Sequence, residues 1–183
     1  MEPLIIGIDP GFASMGLALL QREGGSYRFT KATTIRTAKS GRKVPKWVDN
    51  AERTAQIFGA LMADIPEPRP RTIWAIEAES WTRMPSDKLV GMARGAVYSA
   101  AFNVGGAIDQ YSPKDIKKEF CGSGSASKKS VEAAVCKLHP ELKPHLVLLP
   151  KTQREHAADA AACALYCLRQ SQYARFFGAN PLS

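Results

Sequence analysis

The chain has few of the features that mark secreted or membrane-spanning proteins. Its 183 residues include only four cysteines, which form neither C-x-x-C pairs nor the spacing of a disulfide framework. The longest candidate membrane run, Leu4–Leu20, is interrupted by Asp9 and Pro10, so it cannot supply the roughly 20 apolar residues of a spanning helix. We therefore expect reduced thiols, no membrane association and a cytoplasmic location, in a bacterial or phage-infected cell, with an organelle as the alternative.

Acidic residues are also scarce relative to basic ones. Lys and Arg number 25 against 17 Asp and Glu, which gives a formal net charge of +8. Such a balance favours a polyanionic partner, with nucleic acid ahead of a membrane surface. The length, 45% hydrophobic content and lack of an internal repeat predict one globular domain over residues 1–177, followed by a loose tail at 178–183.

Strand and helix patterns alternate along the chain and predict an α/β fold. The predicted strands cover residues 4–8, 15–21, 26–35, 72–76 and 108–111, the first three being antiparallel. The predicted helices begin at Asp49-x-x-Glu52, at Ser86, after Ser112-Pro113, near Lys128 and near residue 153, within the capping box Thr152–Glu155.

Carboxylates stand at positions where α/β folds bind ligands. Asp9 and Glu77 each end a buried strand, and Asp159 lies three residues after His156 on one helix face. Carboxylates gathered in one cleft repel each other unless cations lie between them, and their hard oxygens suit Mg²⁺ or Mn²⁺. Within a basic protein this pattern indicates metal-dependent cleavage of phosphodiesters, although a lone Asp at a strand end is more often a turn or capping residue.

An ordered set of motifs resembles one family. The set comprises Gly7–Gly11 with Gly16, Ala75–Glu77, Ala93–Gly95, Tyr111–Pro113, Ile116–Lys118, Gly122–Lys128 and His156–Ala160. Their order and spacing are similar to those of the RuvC crossover-junction endodeoxyribonucleases. The resemblance covers about residues 4–170, and the ordered set is far more specific than any single motif.

This resemblance implies an RNase H-like α/β fold, with a mixed five-stranded sheet flanked by helices. It implies a homodimer that resolves four-way (Holliday) DNA junctions by paired symmetrical nicks, leaving 5′-phosphate and 3′-hydroxyl ends. It also implies two Mg²⁺ ions per active site, with Mn²⁺ as a substitute. The sequence carries no signal for or against a branch-migration helicase as a partner.

The same resemblance assigns roles to individual residues. Asp9, Glu77 and Asp159 take the positions of acidic metal ligands. His156 stands where the family has Asp or His, and it is expected to be a metal ligand or the proton acceptor for the attacking water. Lys117 and Lys128 take the positions of lysines near the scissile phosphate, where a cation stabilises transition-state charge.

A wider set of residues is expected to contact DNA. It consists of Arg36, Lys39, Arg42, Lys43, Trp81, Arg83, Lys117, Lys118, Ser125, Lys128 and Lys129. The stretch from Arg36 to Lys46 is a phosphate-contacting loop or, alternatively, a solvated one. Trp81 is a wedge that stacks on unpaired bases or, alternatively, a core residue.

Two other functions stay open from the sequence, and a third is excluded by length. A nuclease of broader specificity would cut flaps and forks, and a non-catalytic protein would only bind junctions. Asp9-x-Gly11 with Gly16 also resembles the phosphate-binding hairpin of actin and sugar-kinase phosphotransferases. Those enzymes need two related domains, for which 183 residues leave no room.

Overall fold

The structure is a computed structural model that describes residues 3–23, 25–41, 43–65, 71–78 and 86–172. Three predicted DNA-contacting residues, Arg42, Trp81 and Arg83, lie outside the described residues, as does the predicted tail at 178–183. A single domain over residues 1–177 therefore stays a prediction.

The centre of the fold is one mixed five-stranded sheet. Its strands are β1 (Leu4–Asp9), β2 (Ser14–Glu23), β3 (Ser26–Arg36), β4 (Thr72–Glu77) and β5 (Ala107–Tyr111). The order across the sheet is β3-β2-β1-β4-β5, with β1, β2 and β3 antiparallel and β4 and β5 parallel to β1. The five predicted strands and the antiparallel arrangement of the first three are confirmed.

Six helices are present in the described part of the chain. They are α1 (Lys46–Ala63), α2 (Ser86–Asn103), α3 (Pro113–Cys121), α4 (Lys128–Leu138), α5 (Leu142–Val147) and α6 (Lys151–Gln170). None of these described helices is both long enough and apolar enough to cross a membrane.

Two helix starts differ from the sequence prediction. α1 begins at Lys46 and not at Asp49, whose carboxylate instead accepts a hydrogen bond of 2.7 Å from the backbone N–H of Ser40. α6 begins at Lys151, directly after Pro150, and no side-chain hydrogen bond caps it. Proline suits a position just before a helix, since its φ is already helix-compatible and it lacks an N–H.

The helices cover the two faces of the sheet as separate layers. α1 and α2 pack over one face, around Ile8, Met15 and Trp74. On the other face α6 crosses the sheet with α3 and α4 outside it, and α5 packs against β3. Most of the buried side chains of α6 are alanine, and this allows the helix backbone to approach the sheet closely. The approach brings the first turns of α6 to the carboxyl end of β1.

Candidate active site

The site begins with two carboxylates at one edge of the sheet. β1 and β4 are adjacent and parallel, with Ile8 paired to Ile76, so the next residues, Asp9 and Glu77, end neighbouring strands on the same side. Both strands are buried up to these positions, and both carboxylate residues are half-buried. The predicted meeting of Asp9 and Glu77 follows from this register.

Helix α6 adds two further side chains from the other end of the chain. Nδ1 of His156 lies 2.6 Å from Oδ2 of Asp9, although 147 residues separate them. Asp159, one turn later on the same helix face, is 9% exposed. Gly16, paired with Asp9 across β1 and β2, makes this contact feasible, because a Cβ there would lie 2.0 Å from the carbonyl oxygen of His156.

Two lysines complete the cluster. Lys128 is the first residue of α4, which Ser127 caps, and its Nζ lies 2.8 Å from Oδ2 of Asp159. Lys117 lies on α3, and its charge acts on Glu77. Contacts and strand register therefore bring together five of the six residues predicted as catalytic, and the sixth, Lys117, is linked to them through its charge, which lowers the pKa of Glu77.

The electrostatics of the cluster reflect crowded carboxylates. Burial, together with the charges of Asp9 and Asp159, raises the pKa of Glu77 to about 7, against the opposing effect of Lys128 and Lys117. Burial also raises the pKa of Asp159, even though Lys128 donates a hydrogen bond to it. A metal-free site thus resists full ionisation at neutral pH.

The pKa values of the two basic partners are raised. The hydrogen bond to Asp9 raises the pKa of His156 above its ordinary value, more than burial lowers it. Burial also opposes the charge of Lys128, but its hydrogen bond to Asp159 and the nearby carboxylates raise the pKa of its ammonium. The carboxylates of the cluster thus favour positive charge on both partners.

The donor set suits a divalent cation, although the side chains are paired with each other. Among the described residues, no three His, Cys, Asp or Glu side chains form a ready metal site. Asp9 is instead engaged by His156, and Asp159 by Lys128. Asp9, Glu77 and Asp159 nevertheless provide the hard oxygen ligands that Mg²⁺ or Mn²⁺ prefers.

The remaining predicted DNA-contacting residues are exposed in the described chain. They are Arg36 at the end of β3, Lys39 and Lys43 before α1, Lys118 on α3, Ser125 before α4, and Lys129 on α4. Ser125 lies in a loop closed by a 2.9 Å hydrogen bond between its Oγ and that of Ser123. Lys118, Ser125 and Lys129 lie on the same stretch of chain as Lys117 and Lys128.

One buried arginine beside the site was not among the residues predicted from the sequence. Arg94 lies in the motif Ala93–Gly95, is 4% exposed, and donates a hydrogen bond of 2.7 Å to the main-chain carbonyl of Glu77. A charged residue within an otherwise small and apolar helix segment was the available signal.

Comparison with known proteins gives consistent results for sequence and structure. The family model of crossover junction endodeoxyribonuclease RuvC matches residues 5–167. The crossover junction endodeoxyribonuclease RuvC of Acinetobacter baumannii is 34% identical over 164 residues, which are 89% of this chain and 81% of that protein. Thermus thermophilus RuvC superposes with a TM-score of 0.69 at 25% identity, over 91% of this chain and 95% of that one. The T. thermophilus RuvC structure in complex with Holliday junction substrate superposes with a TM-score of 0.67 at 25% identity, over 96% of this chain and 97% of that one. The predicted RNase H-like fold and class of enzyme are thereby confirmed, and this chain belongs to the RuvC family of crossover junction endodeoxyribonucleases.

Proposed function

We propose that this protein resolves four-way DNA junctions by nicking two opposing strands symmetrically, leaving 5′-phosphate and 3′-hydroxyl ends. The observation that carries the proposal is the group of Asp9, Glu77 and Asp159, in which burial and then the charges of the two aspartates raise the pKa of Glu77 to about 7. A nuclease that uses metal ions needs such a concentration of carboxylates, whereas a protein that only binds junctions has no use for their mutual repulsion.

The RuvC family consists of metal-dependent nucleases. For this chain we assign Mg²⁺, two ions per active site with Mn²⁺ as a substitute, to Asp9, Glu77, Asp159 and His156. When bound, such ions lower the pKa of a water and neutralise charge on the phosphate. The carboxylates of the chain supply the negative charge that holds the ions, and burial of Asp159 limits competing water.

His156 and the lysines act on protons and charge. His156 is oriented by its 2.6 Å contact with Asp9, which suits either a metal ligand or the acceptor of the proton from the attacking water. Lys128 is held beside Asp159, and Lys117 acts on Glu77. We assign to both cations the stabilisation of the negative charge that builds on the phosphate in the transition state.

Junction binding is assigned to cations outside the carboxylate cluster. Exposed side chains such as Lys39, Lys118 and Lys129 contribute to a net charge of +8, and phosphate contacts supply most of the affinity in such interfaces. Binding should therefore weaken steeply with salt, with a log–log slope of about 0.9 for each phosphate neutralised. A flat salt response in a gel-shift titration would contradict DNA as the ligand.

The assembly and cellular setting are proposed along with the activity. Paired nicks on opposing strands require two active sites, so we assign a homodimer with one cut per subunit. A cytoplasmic location in a bacterial or phage-infected cell fits this substrate. A branch-migration helicase as a partner stays a prediction, to be checked by co-purification.

The test compares a labelled synthetic four-way junction with a linear duplex of the same sequence, in Mg²⁺ or in EDTA. We expect symmetrical, ligatable nicks in the junction alone, and only with Mg²⁺. Asp9→Asn should abolish cleavage while leaving junction binding intact, and Asp115→Asn, which changes an exposed carboxylate of α3, is the matched control. Near wild-type cutting by Asp9→Asn would refute the site, and cutting of every branched form would refute strict junction selectivity.

A further inference from the structure

Two buried arginines extend from the α1–α2 layer toward the two strand ends of the site. Arg53 of α1 is 6% exposed and Arg94 of α2 is 4% exposed. Burying a guanidinium is costly unless hydrogen bonds satisfy it, so each of these side chains must be tied to specific acceptors. Arg94 bonds the main-chain carbonyl of Glu77 directly, and Arg53 reaches the turn after Asp9 through the hydroxyl of Thr37.

Arg94 holds the carboxyl end of β4. Its Nη1 donates to the main-chain carbonyl of Glu77 at 2.7 Å, and its Nη2 donates to Oε1 of Gln110 on β5 at 2.9 Å. Its Nε donates to the hydroxyl of Tyr98 at 3.2 Å, one turn further along α2. The planar guanidinium thus joins α2, β4 and β5 at the residue whose side chain enters the carboxylate cluster.

Arg53 holds the turn that follows Asp9. Its Nε donates to Oγ1 of Thr37 at 2.9 Å, and that hydroxyl donates in turn to the carbonyl of Phe12 at 2.6 Å. The guanidinium carbon also lies 4.2 Å from the centre of the Phe12 ring. A backbone hydrogen bond of 3.2 Å from Thr37 to the carbonyl of Ala13 adds to the same connection.

We infer that Arg53 and Arg94 are positioning residues that set the placement of Asp9 and Glu77 for divalent-metal binding. Arg94 acts on the main-chain carbonyl of Glu77 itself, whereas Arg53 acts through the Thr37 hydroxyl on the carbonyl of Phe12, three residues after Asp9. Because α1 and α2 pack against each other, one helical layer sets both strand ends. The inference rests on the proposed function, since it assumes that the carboxylates hold metal.

The test measures metal binding directly as well as cleavage. Arg94→Met and Arg53→Met keep most of the side-chain volume but remove the donors. Mn²⁺ titration followed by electron paramagnetic resonance gives the affinity without DNA, and single-turnover cleavage gives the Mg²⁺ concentration for half-maximal rate. We expect about 10-fold weaker Mn²⁺ binding and a similar rise in the Mg²⁺ requirement, the usual effect of removing groups that orient metal ligands.

Controls separate positioning from folding. Junction affinity in EDTA should stay within about twofold of wild type, because the phosphate contacts are elsewhere. Arg28→Met, which changes an exposed arginine of the edge strand β3, should alter none of these quantities. Arg94→Lys should recover part of the Mn²⁺ affinity, since lysine can still donate to one carbonyl but cannot span three acceptors.

A variant with smaller disruption keeps the inference testable if the methionine variants do not fold. Gln110 is exposed, so Gln110→Ala should fold while freeing one arm of Arg94, and we expect about threefold weaker Mn²⁺ binding. Wild-type Mn²⁺ affinity in folded Arg94→Lys and Gln110→Ala would overturn the role of Arg94. Wild-type affinity in folded Arg53→Met would overturn that of Arg53. If the wild-type protein binds Mn²⁺ but cuts no junction, the proposed function fails while the Mn²⁺ comparison still decides this inference.

Discussion

Replacement of Gly16 by alanine should disable the active site without changing any group that belongs to it. Gly16 is paired with Asp9 across the two first strands, and the first turns of α6 lie directly over it. An added Cβ would lie 2.0 Å from the carbonyl oxygen of His156 and 3.1 Å from Cβ of Ala160. Both contacts involve the helix that carries His156 and Asp159, so the clash acts on the site as a whole.

The expected displacement follows from these distances. Ordinary van der Waals contact begins at 3.4 Å, so the 2.0 Å separation leaves a shortfall of 1.4 Å that the helix must supply by moving away. A movement of that size breaks the 2.6 Å contact between His156 and Asp9. Misplacement of catalytic groups by about 1 Å costs roughly 100-fold in rate, and overpacking costs about 1–3 kcal/mol of stability.

The assay is single-turnover cleavage of a four-way junction, with thermal unfolding measured in parallel. Gly16→Ala should stay folded at room temperature, cleave roughly 100-fold more slowly, and bind the junction normally. Gly59→Ala is the control, because Gly59 is exposed in α1 with no atom within 4 Å of the added Cβ, and alanine there should stabilise by up to about 1 kcal/mol. Cleavage by Gly16→Ala within twofold of wild type would refute the reasoning.

Three further predictions concern the charges of the site. In EDTA at about pH 8, Glu77→Gln should be more stable than wild type by up to about 3 kcal/mol in chemical denaturation. Because folding raises the pKa of Glu77 from 4.5 to about 7, the wild-type protein loses stability as the pH rises through that interval. Equal stability of the two proteins would contradict this. Lys128→Met should bind Mn²⁺ a few-fold more tightly in calorimetry, because the substitution frees the carboxylate of Asp159. The variant should nevertheless cleave about 100-fold more slowly than wild type. Weaker Mn²⁺ binding would count against this prediction. Mn²⁺ binding at about pH 7 should release protons, because the cation competes with the protons on Glu77 and His156. Identical heats of binding in two buffers of different ionisation enthalpy would show that no protons are released.

Local patterns were sufficient for most of the fold. The apolar runs that end at Asp9 and Glu77 predict two buried strands, and both are adjacent strands of the sheet. Ser112-Pro113 predicts the start of α3, where the Ser112 side chain accepts a hydrogen bond from the N–H of Lys114, and Gly122 ends the helix with φ at +74°. Such signals act within a few residues, so the sequence alone reveals them.

The predicted starts of two helices were wrong, and for α1 a contact outside the helix occupies the expected capping residue. Asp49 has the sequence signature of a cap, but its carboxylate accepts from Ser40, and α1 extends back to Lys46. Thr152 begins a capping-box pattern, but α6 extends back to Lys151. The short helix α5 was not predicted, because six residues containing a proline carry little periodicity.

The sequence by itself determined the family of this protein, since the types and order of its carboxylates, lysines and glycines identify it and predict the six residues of the site. Only the tertiary structure decided how these residues interact. The contact of His156 with Asp9 spans 147 residues and depends on Gly16 admitting the backbone of α6. The burial of Arg53 and Arg94 beside the strand ends depends on the packing of α1 and α2 over the sheet. Residue type sets which reactions are available, whereas distance, desolvation and therefore pKa arise only when remote segments pack together.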